Sequence, residues 1–266
     1  MTVVRGPPPL FLSPAKTGDL MENREIFSNL ATIPPIFVRL DGRAFHSLTQ
    51  KYGFQKPFDD RFSDAMETVC RMLVGESGLS PVFAYTFSDE ISLYFTLLPF
   101  SNRVEKIDSV AASYAASALT IALDAKEPLA FDARVVQATP ASAIEYMIGR
   151  QDEAWRNHIN SYCQQALIQD GMSATEAARR LKGKQARELH EMMHTRGVNL
   201  AKTPAWQRRG ILVCKQEITK EGYNPITKES VTVQRSMVAA DRDLPLFTTP
   251  EGQIFLKNLV CAGCGQ

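Results

Sequence analysis

Apolar and polar positions along the chain fall into two periods. Short apolar runs at 36–40, 82–87, 91–97 and 131–138 are rich in β-branched and aromatic residues and are bounded by Pro, Ser, Asp or Gly. They read as strands. Between them, Phe62, Met66, Val69 and Leu73 recur at helical spacing and predict a helix over 59–73. The stretch 104–123 is rich in Ala and Ser, a composition suited to a second helix packed closely on a sheet. An earlier helical pattern (Glu22, Arg24, Glu25, Ile26, Leu30) stops at Pro34-Pro35. From 141 onward helical spacing dominates, over 141–169 and 175–194 with breaks at Gly171 and Gly183. Two late strands are expected at 209–215 and 231–233, joined by a turn over 220–228.

The order β-α-β-β-α-β predicts an α+β chain with a ferredoxin-like split unit. Its right-handed crossover makes the first two strands parallel, so both end at one edge of the sheet. That edge receives Asp41 from the first strand and the tip Ser88-Asp89-Glu90 between the second and third. Four regions follow: an extension over 1–20, a catalytic-type unit over 21–140, a mainly helical region with a hairpin over 141–245, and a tail over 246–266.

Composition narrows the function. Among 266 residues the formal net charge is +1, so any nucleic-acid contact must come from a local patch. No apolar run is long enough to span a bilayer, and residues 1–20, with Pro7-Pro8-Pro9, lack the pattern of a signal peptide. Five cysteines spread thinly point to a reducing, cytoplasmic setting. Cys261-Ala262-Gly263-Cys264 is a single C-x-x-C, half a zinc site at most.

Asp-Gly or Ser-Asp-Glu alone is an ordinary turn signal. Their joint placement at one sheet edge changes the reading. Two carboxylates in close apposition stay ionised together only around a cation, and oxygen ligands suit Mg2+, which also takes phosphate oxygens. Two such ions clamp the attacking and leaving oxygens of a phosphoryl or nucleotidyl transfer. The Gly42 carbonyl is a further donor, and the amides of residues 43–46 are candidates for a phosphate-binding nest.

Three stretches carry a family resemblance: Arg39-Leu40-Asp41-Gly42-Arg43-Ala44-Phe45-His46, Phe54-Gln55-Lys56-Pro57-Phe58-Asp59 and Ala84-Tyr85-Thr86-Phe87-Ser88-Asp89-Glu90. Together with Arg103, Lys106 and Phe131-Asp132-Ala133-Arg134-Val135-Val136, they resemble the tRNA(His) guanylyltransferase family and its archaeal and bacterial tRNA-repair relatives, over about residues 21–240. The resemblance implies a palm like that of nucleic-acid polymerases, with helices on one face. It also implies growth of a tRNA at its 5′ end: ATP activates the 5′-monophosphate, and the 3′-hydroxyl of GTP or another NTP attacks it. Carried over, Asp41, Gly42 and Asp89 hold two Mg2+ ions, with Glu90 as the neighbouring acid. Residues Gly42, Arg43, Ala44, Phe45, His46 and Ser88 cradle the nucleotide, with Lys56, Asp59, Arg103 and Lys106 around it. Dimers or tetramers are also implied.

The resemblance has a gap. Eukaryotic members carry His-Ile-Asn-Asn-Leu-Tyr-Asn where this chain reads His158-Ile159-Asn160-Ser161-Tyr162-Cys163-Gln164. This favours templated 5′-end repair over untemplated guanylate addition. Candidate tRNA contacts are His158, Asn160, Arg179, Lys182, Lys184, Arg187, Arg208 and Arg209, with Trp155, Tyr162 and Trp206 available to stack on bases or pack in the core. Two other classes fit the same topology. One is a nucleotide cyclase; the other is a non-catalytic RNA-binding module, which needs aromatic residues on an exposed sheet face.

Overall fold

A computed structural model describes residues 25–224 and 229–262. The four expected runs form β1 (Ile36–Gly42), β2 (Phe83–Phe87), β3 (Glu90–Phe95) and β4 (Phe131–Gln137). They pair antiparallel in the order β4-β1-β3-β2. The intervening helices are α1 (Phe45–Lys51), α2 (Asp60–Gly75) and α3 (Val104–Ala122). Alternation along β1 sends Ile36, Val38 and Leu40 to one face, where they join Met66, Val69 and Leu73 of α2 and Ala111, Ala115 and Leu119 of α3. The small side chains of α3 allow that close approach.

The palm's two long helices lie on one face, as expected, but the other face is covered too. There Phe37, Phe83, Tyr85 and Tyr94 pack beneath Ala143 and Met147 of α4 (Pro140–Gln169) and Leu256 and Val260 of α8 (Pro250–Ala262). These four aromatics are 0–1% exposed. The open aromatic sheet face that an RNA-binding module of this topology needs is therefore absent among the described residues.

Helix α4 begins with a capping box: the Ser142 amide donates to the Thr139 hydroxyl at 3.2 Å and the Thr139 amide to the Ser142 hydroxyl at 2.8 Å, with Pro140 in the first turn. At 30 residues it is about 45 Å long. Its first half lies on the sheet. Its second half carries a separate core, in which Ile159, Cys163 and Leu167 meet Ala177 and Leu181 of α5 (Ala174–Leu181) and Leu189 and Met193 of α6 (Ala186–His194). Buried Gln151 ties the middle of α4 to the chain before α8, donating to the Pro245 carbonyl at 3.1 Å and accepting from the Phe247 amide at 2.7 Å.

Several expectations change. After the short α7 (Ala205–Arg209), the late strands are β5 (Ile211–Asn224) and β6 (Glu229–Asp241), far longer than expected. Residues Ile211 to Cys214 pair with β2, so the hairpin extends the palm sheet to six strands. Residues 25–33 form turns and a single bridge from Ala31 to Arg103 in place of a helix. The loop expected after Gly42 is helix α1. The expected tail contains α8, because Leu256 and Val260, one helical turn apart, bury completely against the sheet aromatics. The extension over 1–20 and Cys264 fall outside the described residues. Among the described residues no helix is long and apolar enough to cross a membrane.

Candidate active site

Strand register assembles the acids. Asp41 is cross-strand partner to Glu90 on β3 and to Asp132 on β4. The Gly42 amide donates to the Asp89 carbonyl at 3.1 Å, fixing the β2–β3 tip against the end of β1. At that tip Ser88 takes a positive φ of 51°, and its hydroxyl donates to Asp89 Oδ1 at 3.0 Å. Burial pushes the Asp89 carboxyl above the usual range and the charge of Asp41 adds to this, against the Ser88 hydrogen bond and nearby Lys56. Glu90 is also raised, chiefly by burial, against the pull of Arg150 and Arg39. Arg150, from the middle of α4, grips both oxygens of Glu90 at 3.0 and 3.2 Å.

A cleft of ≈ 300 Å³ opens on the β2 flank of this tip, lined by Phe54, Lys56, Phe58, Ser88, Asn157 and Trp206 among others. Its lining mixes aromatic and apolar side chains with many polar ones, among them Gln55, Asp59, Ser88, Asn157 and Gln207. Lys56 Nζ donates to the Thr49 hydroxyl at 3.0 Å and lies close enough to Asp89 to act on its charge.

Other expected residues take different places. Asp59 is the N-cap of α2: its carboxylate accepts from the Gln55 amide at 2.6 Å, the Arg61 amide at 2.9 Å and the Arg61 guanidinium at 2.7 Å. The Arg61 side chain, foremost, lowers its pKa to about 2. These bonds occupy its carboxylate in the fold, while the residue also lines the cleft. Phe45 is a core side chain, 4% exposed and edge-on to Phe131 at 5.1 Å. The amides of Gly42 and Arg43 donate to the Asp89 and Ala130 carbonyls, which narrows the phosphate nest to Ala44, Phe45 and His46. The His46 side chain lies outside the described set.

Arg103 and Lys106 do not meet the acids within one chain. β3 leaves the tip at Glu90 and ends at Phe95 opposite Ile36, so α3 starts at the far edge of the sheet. Five residue steps of strand separate the two edges, about 17 Å.

His158 is 0% exposed and cannot touch RNA. Its ring stacks on Trp155 at 5.2 Å, and its Nε2 pairs with the Thr203 hydroxyl at 2.8 Å. Burial lowers its pKa to about 4. Arg208 and Arg209 are likewise turned inward, donating to the Thr203 carbonyl at 2.9 Å and the Leu244 carbonyl at 2.6 Å. Trp155 and Tyr162 pack against the helical core, while Trp206 lines the cleft. Asn160, Arg179, Lys182, Lys184 and Arg187 are exposed. Because α4 crosses the sheet and passes the acids at Arg150, its second half carries these basic residues beyond the acidic edge.

Arg150 is the main omission from the sequence-based site. It sits 60 residues from Glu90, and no local pattern marks the pair. Magnesium fits this donor set: two adjoining carboxylates, one raised in part by the other, with carbonyl oxygens alongside. Among the described residues there is no group of three or more His, Cys, Asp or Glu side chains able to hold a metal.

A palm-like antiparallel sheet with paired carboxylates at its strand ends and a nucleotide-sized cleft beside them defines the class of palm nucleotidyltransferases. The family model for tRNAHis guanylyltransferase matches residues 18–139. A probable tRNA(His) guanylyltransferase of Homo sapiens is 31% identical over 241 residues, 84% of this chain and 80% of that protein. tRNA(His) guanylyltransferase 1 of Arabidopsis thaliana is 28% identical over 207 residues, 72% of this chain but only 36% of its own length. Among solved structures, a bacterial tRNA(His) guanylyltransferase-like protein in complex with ATP has a TM-score of 0.72 at 26% identity, covering 92% of this chain and 99% of that one. The chain belongs to the tRNA(His) guanylyltransferase family, a family of nucleotidyltransferases.

Proposed function

We propose that this protein is a magnesium-dependent 3′-to-5′ nucleotidyltransferase that extends the 5′ end of tRNA, templated by the opposite strand, after ATP activates the terminal phosphate. The observation that carries this reading is the meeting of Asp41 and Asp89 at one sheet edge beside a nucleotide-sized cleft. Asp41, Asp89 and the Gly42 carbonyl hold the magnesium ions, which when bound neutralise phosphate charge and align the reacting oxygens. Lys56 supplies positive charge at the cleft mouth, and the amides of Ala44, Phe45 and His46 face the phosphates. Arg150 holds Glu90 in place, which makes Glu90 a positioning group for the acidic edge. Phe54, Phe58 and Trp206 wall the space for a base, and the exposed basic residues of α5 and α6 meet the tRNA backbone.

The relatives' names support a second reading, guanylate addition to tRNA(His). The buried His158 and the departing stretch after it support templated repair. Exposed Ile26, Phe27, Leu30, Ile33 and Leu97, each at least 50% exposed, support assembly of two or four copies through the sheet edge far from the acids. The free cysteines Cys70, Cys163, Cys214 and Cys261 support a cytoplasmic setting.

The test incubates the protein with ATP, GTP or mixed NTPs, magnesium, and tRNAs whose 5′ end is intact or one nucleotide short. Extension dictated by the opposite base supports repair; guanylate addition opposite adenosine supports the second reading. A cyclic nucleotide product would refute both. Asp41→Ala and Asp89→Ala are expected to abolish extension while tRNA affinity stays within about twofold, and activity in either variant would overturn the metal assignment.

A further inference from the structure

Behind the acidic row the same sheet face carries a basic one. Asp132, Asp41 and Glu90 stand side by side across β4, β1 and β3, and one step further in stand Arg134, Arg39 and Ser92. Arg150 of α4 overhangs this face. Two of the three guanidiniums are engaged: Arg134 with Asp132 at 2.7 Å, and Arg150 with Glu90 at 3.0 Å. Ser92 is bonded to the Tyr146 hydroxyl at 2.9 Å. Arg39 Nε is buried without a hydrogen-bond partner, although the guanidinium lies near enough to Glu90 for the two charges to attract.

The neighbouring acids attract these arginines, yet part of the arrangement is costly. Like charges directly opposite on paired strands repel, and a buried unpaired N–H loses its hydration without compensation. An anion seated between Arg39 and Arg134 relieves both. The planar fork of arginine matches a phosphate through paired N–H donors.

We propose that Arg39, Arg134 and Arg150 form a phosphate pocket on the β4 flank of Asp41, and that it takes the terminal 5′-phosphate of the RNA. This rests on the nucleotidyltransferase reading above. The cleft on the β2 flank, with Lys56 and Ser88 in its lining, holds the nucleotide. A transfer between two phosphate-bearing reactants needs them on either side of the acids, and the two flanks of Asp41 supply those places.

Anisotropy titrations of the full chain with one tRNA bearing either a 5′-monophosphate or a 5′-hydroxyl test this, alongside titration with a fluorescent GTP analogue. The wild-type protein is expected to prefer the phosphorylated end by about tenfold. The double variant Arg39→Gln/Arg134→Gln should lose that preference, with affinity for the GTP analogue changed by less than about twofold and an unchanged melting temperature. Arg39→Lys, which keeps the charge without the fork, should retain part of it. Should the double variant fail to fold, Arg134→Gln alone serves, because this side chain is 49% exposed. The proposal is overturned if the wild-type protein shows no preference, if a folded variant keeps it in full, or if GTP-analogue affinity falls in step with it. A wild-type protein that prefers the phosphate yet extends no tRNA would count against the catalytic reading alone.

Discussion

At the scale of single residues, Gly42 shows how a backbone requirement protects the site. A Cβ placed there would lie 2.5 Å from the Phe45 ring, which is wedged edge-on between Phe62 and Phe131. Gly42→Ala is expected to cost about 1–3 kcal/mol of stability, read by urea denaturation, and to depress extension further, since Asp41 and Asp89 are locked together through the Gly42 amide. Unchanged stability and activity would refute this packing argument. The acids were legible in the sequence because a turn residue at the end of an apolar run announces its own position. Arg39, Arg134 and Arg150 were not, because their roles come from neighbours on other strands and on α4. Asp59 and Phe45 lie within the family stretches, yet the fold uses their side chains as a cap and as core.

At the scale of elements, α4 carries most of the consequences. Its inward face includes His158, packed among Phe58, Trp155 and Tyr162 with Nδ1 unpartnered among the described residues. The folded protein holds this imidazole neutral down to about pH 4, whereas the unfolded chain takes up its proton near pH 6.5. Between those values the unfolded state binds more protons, so stability falls as pH falls from about 6.5 to about 4. Urea unfolding across that range is expected to show a loss on the order of 2–3 kcal/mol, and His158→Gln should flatten the slope. A slope identical in the variant would refute the assignment. The four palm strands and the long helices were legible to within a few residues because their periods are unambiguous. Helix α8 escaped notice because its buried stripe is short and its partners are distant sheet aromatics; β5 and β6 were expected, but their full length was not, because polar positions on the hairpin hide the strand period.

At the scale of the whole molecule, a net charge of +1 leaves no general attraction for RNA. The proposed tRNA contact places binding on exposed Arg179, Lys182 and Arg187 of the α5–α6 region, whereas Lys184 already pairs with Glu188 at 3.1 Å. Replacing those three with Gln is expected to reduce the slope of log K against log salt by about 2 for tRNA and to leave nucleotide affinity unchanged. An unaltered slope would move the RNA-binding face elsewhere. The ferredoxin-like topology itself was legible, since handedness and strand order follow from the element sequence. The closure of the sheet's second face was not, because it depends on residues after 140 returning across the palm.

The continuity of α4 from sheet to helical core makes it a ruler with a phase. From Arg150 to its end at Gln169 it advances 19 residues, about 28 Å, with no break to absorb an error. Inserting one residue beyond Ala154 would swing α5 and α6 by about 100° around the α4 axis and change where their basic side chains sit relative to the acidic edge. Adding a whole turn would restore the facing and lengthen the reach by about 5 Å. Reach and facing are thus separately adjustable along one helix, while the acids keep their place in the sheet.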